Sequence, residues 1–388
     1  MAVGDGYRES IRKKEEALAS GTDLEHVETI DSTLSRKQKT QKHFRRFWVC
    51  YFIAGIIFSA IFLPIFFTLI IPAIAQRIVD DTDLPVYNAE ITDPDPSHVT
   101  FSIDTALNMP KGIKARTDPF TLRLFNRGTK PFTPYIGVEM REFNLNGPTR
   151  LTVVNHDTEV LDEDEFVAVL SEAVYSKEFI MSARGATTGH LGALKAGLTL
   201  DKDVRLKGLD KLSGFSIESA RLVYPAEDDG TNLRGSANLP NHSVVGFALG
   251  NVTLNLKSED ILLGYADIDN VFLKPGNNSV DLRGRIDIPT VLDNIVPIMA
   301  QQSDVLRKGN IRLSASGNKT VYHGKHIPFF ERVLNNLTLQ AELPIMTVLL
   351  DTMKGLGGGK GLADILQNLG DMGNSLSDLT DALQDLHI

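Results

Sequence analysis

The chain has 388 residues, with 49 acidic against 40 basic side chains, a formal net charge of −9 and 42 % hydrophobic residues. That surplus of acid repels a phosphate backbone and sets nucleic acid aside as a partner. A single cysteine excludes an internal disulfide framework.

Residues 1–46 are polar and mixed in charge, with too few apolar side chains for a core, and disorder is expected there. Arg36, Lys37, Lys39, Lys42, Arg45 and Arg46 close this segment, with no acid from Ser32 onward. No charge then occurs from Phe47 to Ala75, and 16 of residues 47–71 are Phe, Ile, Leu or Val. At roughly −0.3 to −0.6 kcal/mol each, those side chains favour insertion into a bilayer by about 5–9 kcal/mol. A membrane helix is expected at about Trp48–Ile71, with Trp48 and Tyr51 at the interface. Ala73-Ile74-Ala75 resembles a cleavage site, but the apolar run is about twice a signal peptide's core. The run therefore reads as an uncleaved signal anchor over 47–75. The basic residues before it and Asp80, Asp81 and Asp83 after it put the N-terminus in the cytosol and the remainder in a lumen. Cys50, near the cytosolic face, fits palmitoylation and an ordinary helix residue equally well.

Beyond Ala75 there are 30 basic and 41 acidic residues, a net charge of −11. Five Asn-x-Ser/Thr sequons lie there, at Asn241, Asn251, Asn277, Asn318 and Asn336. Asn251 and Asn336 fall inside apparent strands, which makes them the weaker pair. The hydrophobic period also changes to two. In VTFSIDTALNM, Val99, Phe101, Ile103, Thr105, Leu107 and Met109 share one face. FTLRLF, YIGVEM, RLTVV, FIMSA, ALKAGLTL and FSIESARLVY continue the pattern, which indicates a β-sandwich or barrel. One helix interrupts, LDEDEFVAVLSEAVYSK, opened by a capping box of Asp162 and Glu165. Its DEDE lacks the glycine and ligand spacing of a calcium loop.

A second pass begins near Leu233 with VVGFALGNVTLNL, ILLGYADIDNVFL, SVDLRGRID, IRLSAS and LTLQAEL. The helix IPTVLDNIVPIMAQQSDVL interrupts it, with Pro289 in the first turn. The shared order of strands, helix and strands predicts a duplicated domain, 80–225 and 226–345, joined at PAEDDGTN. The remainder, 346–388, reads as a linker at GLGGGKG and an acidic amphipathic helix through Leu376, Leu379, Leu383 and Leu386. Gly361 follows Lys360, so GLGGGKG is no phosphate-binding loop. No nucleophile elbow, zinc helix or cysteine nucleophile occurs. His323 and His326 are separated by Gly324 and read as structural, and His190 reads as a turn residue. No enzyme activity, metal or cofactor is expected.

The stretch NHDTEVLDEDEFVAVLSEAVYSKEFIMSARGATTGHLGALKAGLTLDKDVRLKGLDKL resembles a fungal domain of unknown function found in single-pass vacuolar-membrane proteins. The resemblance implies tandem lumenal domains of the late-embryogenesis-abundant type 2 (water-stress) fold, an immunoglobulin-like sandwich, at the vacuolar membrane. It also implies a part in autophagy control, including its termination, and it brings no catalytic residue. A mainly β chain is thus expected: one membrane helix, two tandem immunoglobulin-like sandwiches with one helix inserted in each, and a helical tail. The expected function is a membrane-tethered lumenal module that binds or transfers lipid or another apolar ligand in a splayed sandwich. The alternative is a non-enzymatic scaffold or signalling protein, with protein partners on the cytosolic segment or the C-terminal helix.

Overall fold

The structure, a computed structural model, describes residues 36–108 and 114–355. The disorder expected for 1–35, the side chain of Met109, and the glycine linker and tail helix beyond 355 lie outside the described residues. The described residues fall into two units, divided between Phe66 and Phe67.

Helix α1 (Arg36–Ile65) opens the chain. Its first turns correct the expectation of disorder for 36–46: RKQKTQKHFRR holds no Gly or Pro, and the apolar helix behind it serves as the nucleus. Phe47 (φ −116°, ψ 16°) breaks the helix where basic residues give way to apolar ones. Pro64 lacks an N–H and crowds the preceding turn, and a π-helical turn (Phe66–Ile70) follows directly. Phe58, Phe62 and Phe66 stack at 5.3 and 5.7 Å along one side. Helix α2 (Ile71–Asp81) starts with Pro72 in its first turn. Phe47–Asp81 is a helix long and apolar enough to cross a membrane, and protein buries none of its apolar window. It runs ten residues past the expected end at Ile71.

The rest of the described chain is mainly β. The strands β1 (Val86–Asp95), β2 (His98–Asn108), β3 (Lys114–Thr117), β4 (Phe120–Phe125), β5 (Pro134–Met140), β6 (Phe143–Asn146) and β7 (Pro148–Glu159) come first. Helix α3 (Glu163–Tyr175) follows, then β8 (Glu178–Leu191), β9 (Leu194–Lys207) and β10 (Ser216–Leu222). Strands β11 (Leu233–Asn241), β12 (Val245–Ser258), β13 (Ile261–Leu273) and β14 (Gly276–Ile286) come next. Three short helices, α4 (Ile288–Asp293), α5 (Ile295–Gln301) and α6 (Ser303–Leu306), replace the single helix expected there. Asn294 (φ −113°, ψ 15°) and Gln302 (φ −101°, ψ 9°) break it. The described residues end with β15 (Asn310–Tyr322), β16 (Lys325–His326), α7 (Pro328–Leu334), β17 (Thr338–Pro344) and α8 (Ile345–Gly355). Helix α8 precedes the expected GLGGGKG linker and reaches only its first residue, Gly355.

One sheet runs β10-β11-β14-β13-β12-β1-β2-β7, with β15 on β12 and β16 and β17 on β15. The other runs β5-β4-β8-β3-β6, with β9 on β8. Alternation in β2 holds in part: Val99, Phe101 and Thr105 are buried, Ile103 and Leu107 are half-buried, and Ala106 on the other face is buried as well. The Asp162 carboxylate accepts from Glu165 N–H at 2.9 Å, as the capping box predicts. The Glu165 carboxylate instead accepts from Asn126 (2.6 Å) and Thr129 (2.9 Å), tying the helix start to the loop after β4.

The boundary expected at 225/226 falls in the turn between β10 and β11, which pair with each other. Other contacts cross it as well. Strand β1 pairs in parallel with β12 through Ala89–Val245 to Ile91–Phe247. Phe166 of α3 packs edge to face on Phe329 of α7 at 5.2 Å, and Tyr175 donates to the Val333 carbonyl at 2.5 Å. Arg332 pairs with Asp164 at 2.8 Å and Glu163 at 3.2 Å. One apolar core holds residues from both halves, including Phe101, Phe166, Phe247 and Phe329.

Candidate functional site

The outer face of β10, β11, β14 and β13 forms an open groove of about 960 Å³. Strand register builds it. Arg221, Arg234 and Arg283 lie directly opposite one another on three neighbouring strands. Ser219, Ser236 and Asp281 form the adjoining row. Like charges opposite one another in a sheet are destabilising unless something offsets them. Arg234 is held by both Glu227 oxygens, at 2.6 and 2.5 Å, and Arg283 by Asp269 at 2.6 Å. Arg221 has no ion-pair partner among the described residues. The hydrogen bond from Arg234 holds the Glu227 carboxyl below its usual range, and the Thr231 backbone N–H does the same for Asp229. Ser219 and Ser236 share a hydrogen bond of 2.8 Å at the groove floor. Phe272, with Lys274 over its ring at 5.3 Å, forms one wall. Helix α8 reaches the groove at Asp351 and covers the β10 edge, where Thr352 Oγ1 accepts from Leu222 N–H at 3.0 Å. Floor hydroxyls, paired charges and a single ring suit polar recognition. Nothing here resembles a nucleophile with its base.

The interior differs in kind. Three voids of about 50, 20 and 40 Å³ are lined without polar surface. The first two share Leu212, Leu249, Leu273, Leu334 and Leu337, and the last two share Leu170 and Phe247. They follow one another through the common core, each about the size of one or two methyl groups.

The residues singled out in the sequence are scattered. Arg36, Lys37, Lys39, Lys42, Arg45 and Arg46 lie on the first turns of α1, and Cys50 is exposed on the same helix. Asn241, one of the expected glycosylation sites, differs from the other four in its burial. It is 3 % exposed, and its amide nitrogen already donates to the Val245 (2.8 Å) and Leu273 (3.1 Å) carbonyls. A glycan on that nitrogen would require the β11–β12 turn to open. Asn251, Asn277, Asn318 and Asn336 are exposed. Asn336 lies in the turn before β17 rather than in a strand. His190 lies within β8, not in a turn, and pairs with Asp118 at 2.9 Å. His326 bonds Glu331 at 2.7 Å, and His323 faces Asp93 at 3.9 Å. No metal-ligand cluster occurs among the described residues. The sequence marks the strands of the groove but not its arginine row, because pairing register is not written in alternation. The serines and arginines on the outward positions of FSIESARLVY and SVDLRGRID were the available signal.

Residues 133–256, from the start of β5 into β12, match a family described as a protein of unknown function, DUF3712. The match spans the β10–β11 turn. No curated protein matches the chain. Among solved structures the chain is similar to a protein from Archaeoglobus fulgidus, at 7 % identity over 32 % of this chain and 97 % of that one, with a TM-score of 0.22. An Arabidopsis thaliana protein overlays at 11 % identity over 32 % and 83 %, with a TM-score of 0.20. A putative late embryogenesis abundant (LEA) protein overlays at 10 % identity over 36 % and 79 %, also with a TM-score of 0.20. The strand pairings, rather than these overlays, define the architecture.

Proposed function

We propose that the protein is a membrane-anchored, non-enzymatic scaffold that recognises a protein partner on the outer face of its β-rich body. In this reading α1 enters from the cytosol, the body is lumenal, and the membrane is that of the vacuole, where the protein acts in autophagy control. The two halves are read as immunoglobulin-like sandwiches sharing one core. The observation that carries the reading is the contrast between the large groove, lined by polar and apolar side chains alike, and the small apolar voids of the interior. Sites that enclose a small molecule usually measure about 300–1,000 Å³, and the core voids fall far below that. Mixed, mutually paired charges beside serine hydroxyls suit the backbone and side chains of an extended polypeptide. A photo-crosslinker at Ser236 in the full chain tests this. A discrete protein adduct lost on Arg221→Glu supports the reading, whereas adducts to lipid alone contradict it.

Lipid binding is the second reading, favoured by the alignment of the three voids. An acyl chain would have to part Phe247, Leu249 and Leu273, with burial repaying about 0.8 kcal/mol per CH₂. Mass spectrometry of the purified full chain decides it. A stoichiometric lipid that survives detergent exchange favours this reading, and its absence removes it.

A further inference from the structure

The uncharged run ends at Gln76, just before Arg77, and that last residue is clamped to the β body. Gln76 Nε2 donates to the Thr199 carbonyl at 2.7 Å, and Gln76 Oε1 accepts from Thr199 N–H at 2.9 Å. The amide thus pairs with the open edge of β9 as another strand would. Four residues later Lys202 Nζ donates to the Asp80 carbonyl, and Ile78 packs on the cluster of Leu145 and Leu151. With 76 beside 199 and 80 beside 202, helix α2 and strand β9 advance in the same direction. Followed back from Thr199, β9 leads to the tip of the β8–β9 hairpin, Leu191-Gly192-Ala193-Leu194. Those five residues of strand span about 16 Å. The same distance along the helix axis runs back about ten residues, past the start of α2 at Ile71 and into the uncharged π-helical turn before it.

The tip has the chemistry of that level. Leu191 is 42 % exposed, Gly192 and Ala193 are exposed, and Gly192 (φ +62°) makes the tight turn. Lys195 is exposed directly behind it, and Lys114 is exposed at the start of β3. Apolar side chains at a turn with lysines one step back match the boundary between acyl chains and headgroups. We propose that this hairpin tip is a second membrane contact, seated in the leaflet that α2 leaves, so that the β body rests on the bilayer. The proposal depends on the membrane-anchor reading above.

The test uses the full chain in lipid nanodiscs, in a Cys50→Ser background, with a polarity-sensitive fluorophore on one introduced cysteine. Leu69→Cys reports the helix, Ala193→Cys the tip, and Asp228→Cys the distant β10–β11 turn. Lys195→Cys is a second tip position should Ala193→Cys fold poorly. Nitroxide lipids should quench Leu69→Cys and Ala193→Cys, the latter at least about twofold more than Asp228→Cys, with shallow nitroxides acting most strongly on the tip. A tip that behaves like Asp228→Cys while Leu69→Cys is quenched overturns the hairpin contact alone. If Leu69→Cys also escapes quenching, the anchor reading fails with it.

Discussion

Phe166 on α3 and Phe329 on α7 meet edge to face with ring centroids 5.2 Å apart, and both are almost wholly buried. They lie 163 positions apart, on opposite sides of the expected domain boundary. Through this contact and the core both halves share, the two halves are expected to unfold as one cooperative unit. Phe166→Ala should cost about 3–5 kcal/mol. Fluorophores placed on β4 and on β13 should then report the same shifted denaturation midpoint. Separate midpoints would mean that the halves unfold independently.

Several surface carboxylates, half-buried or exposed, are held below their ordinary range by hydrogen bonds from cations: Asp95 by Lys325, Glu227 by Arg234 and Asp304 by Arg312. A depressed folded pKa contributes stability that is present above the unfolded pKa and is lost as pH falls through the folded one. With unfolded values of about 4, stability should change little between about pH 7 and 5 and fall below about pH 4. Thermal unfolding at pH 7, 5 and 3 checks this, and a large loss already at pH 5 would contradict it. Such a profile suits an acidic lumen.

Gln302, 3 % exposed, fastens α5 and α6 to the body. Its amide donates to Ser258 Oγ at 2.7 Å and to the Arg312 carbonyl at 3.0 Å, and accepts from Arg312 N–H at 2.8 Å. Gln302→Ala leaves those buried groups unpaired and should cost at least about 2 kcal/mol, measured by denaturant unfolding.

If the body is lumenal, glycans attach to exposed sequons. Asn277→Gln and Asn318→Gln should each increase gel mobility of protein from a glycosylating host. Asn241→Gln should leave the glycan mass unchanged while lowering stability, since its two carbonyl partners lose a donor. A glycan mapped to Asn241 by mass spectrometry would contradict its place in the fold.

Local chemistry is what the sequence makes legible. The uncharged run, the alternation of β2 and the Asp162 cap all rest on near neighbours, and the structure keeps them, the alternation in part. What depends on distant partners does not appear. Asn241 looks like any sequon until Val245 and Leu273 close over it. The arginine row requires the register of β10, β11 and β14, and the clamp requires Gln76 to meet Thr199, which lies 123 residues away. Residues 288–306 keep helical spacing, but Asn294 and Gln302 break the backbone, and Gln302 is held by distant Ser258 and Arg312.

The central claim is a single crossing with the β-rich body on the lumenal side. Protease added to intact, sealed vesicles carrying the full chain tests it most directly, read with one tag ahead of Met1 and another after Ile388. The account predicts that the first tag is digested while the second stays protected until detergent is added. Digestion of the second tag with protection of the first would contradict it.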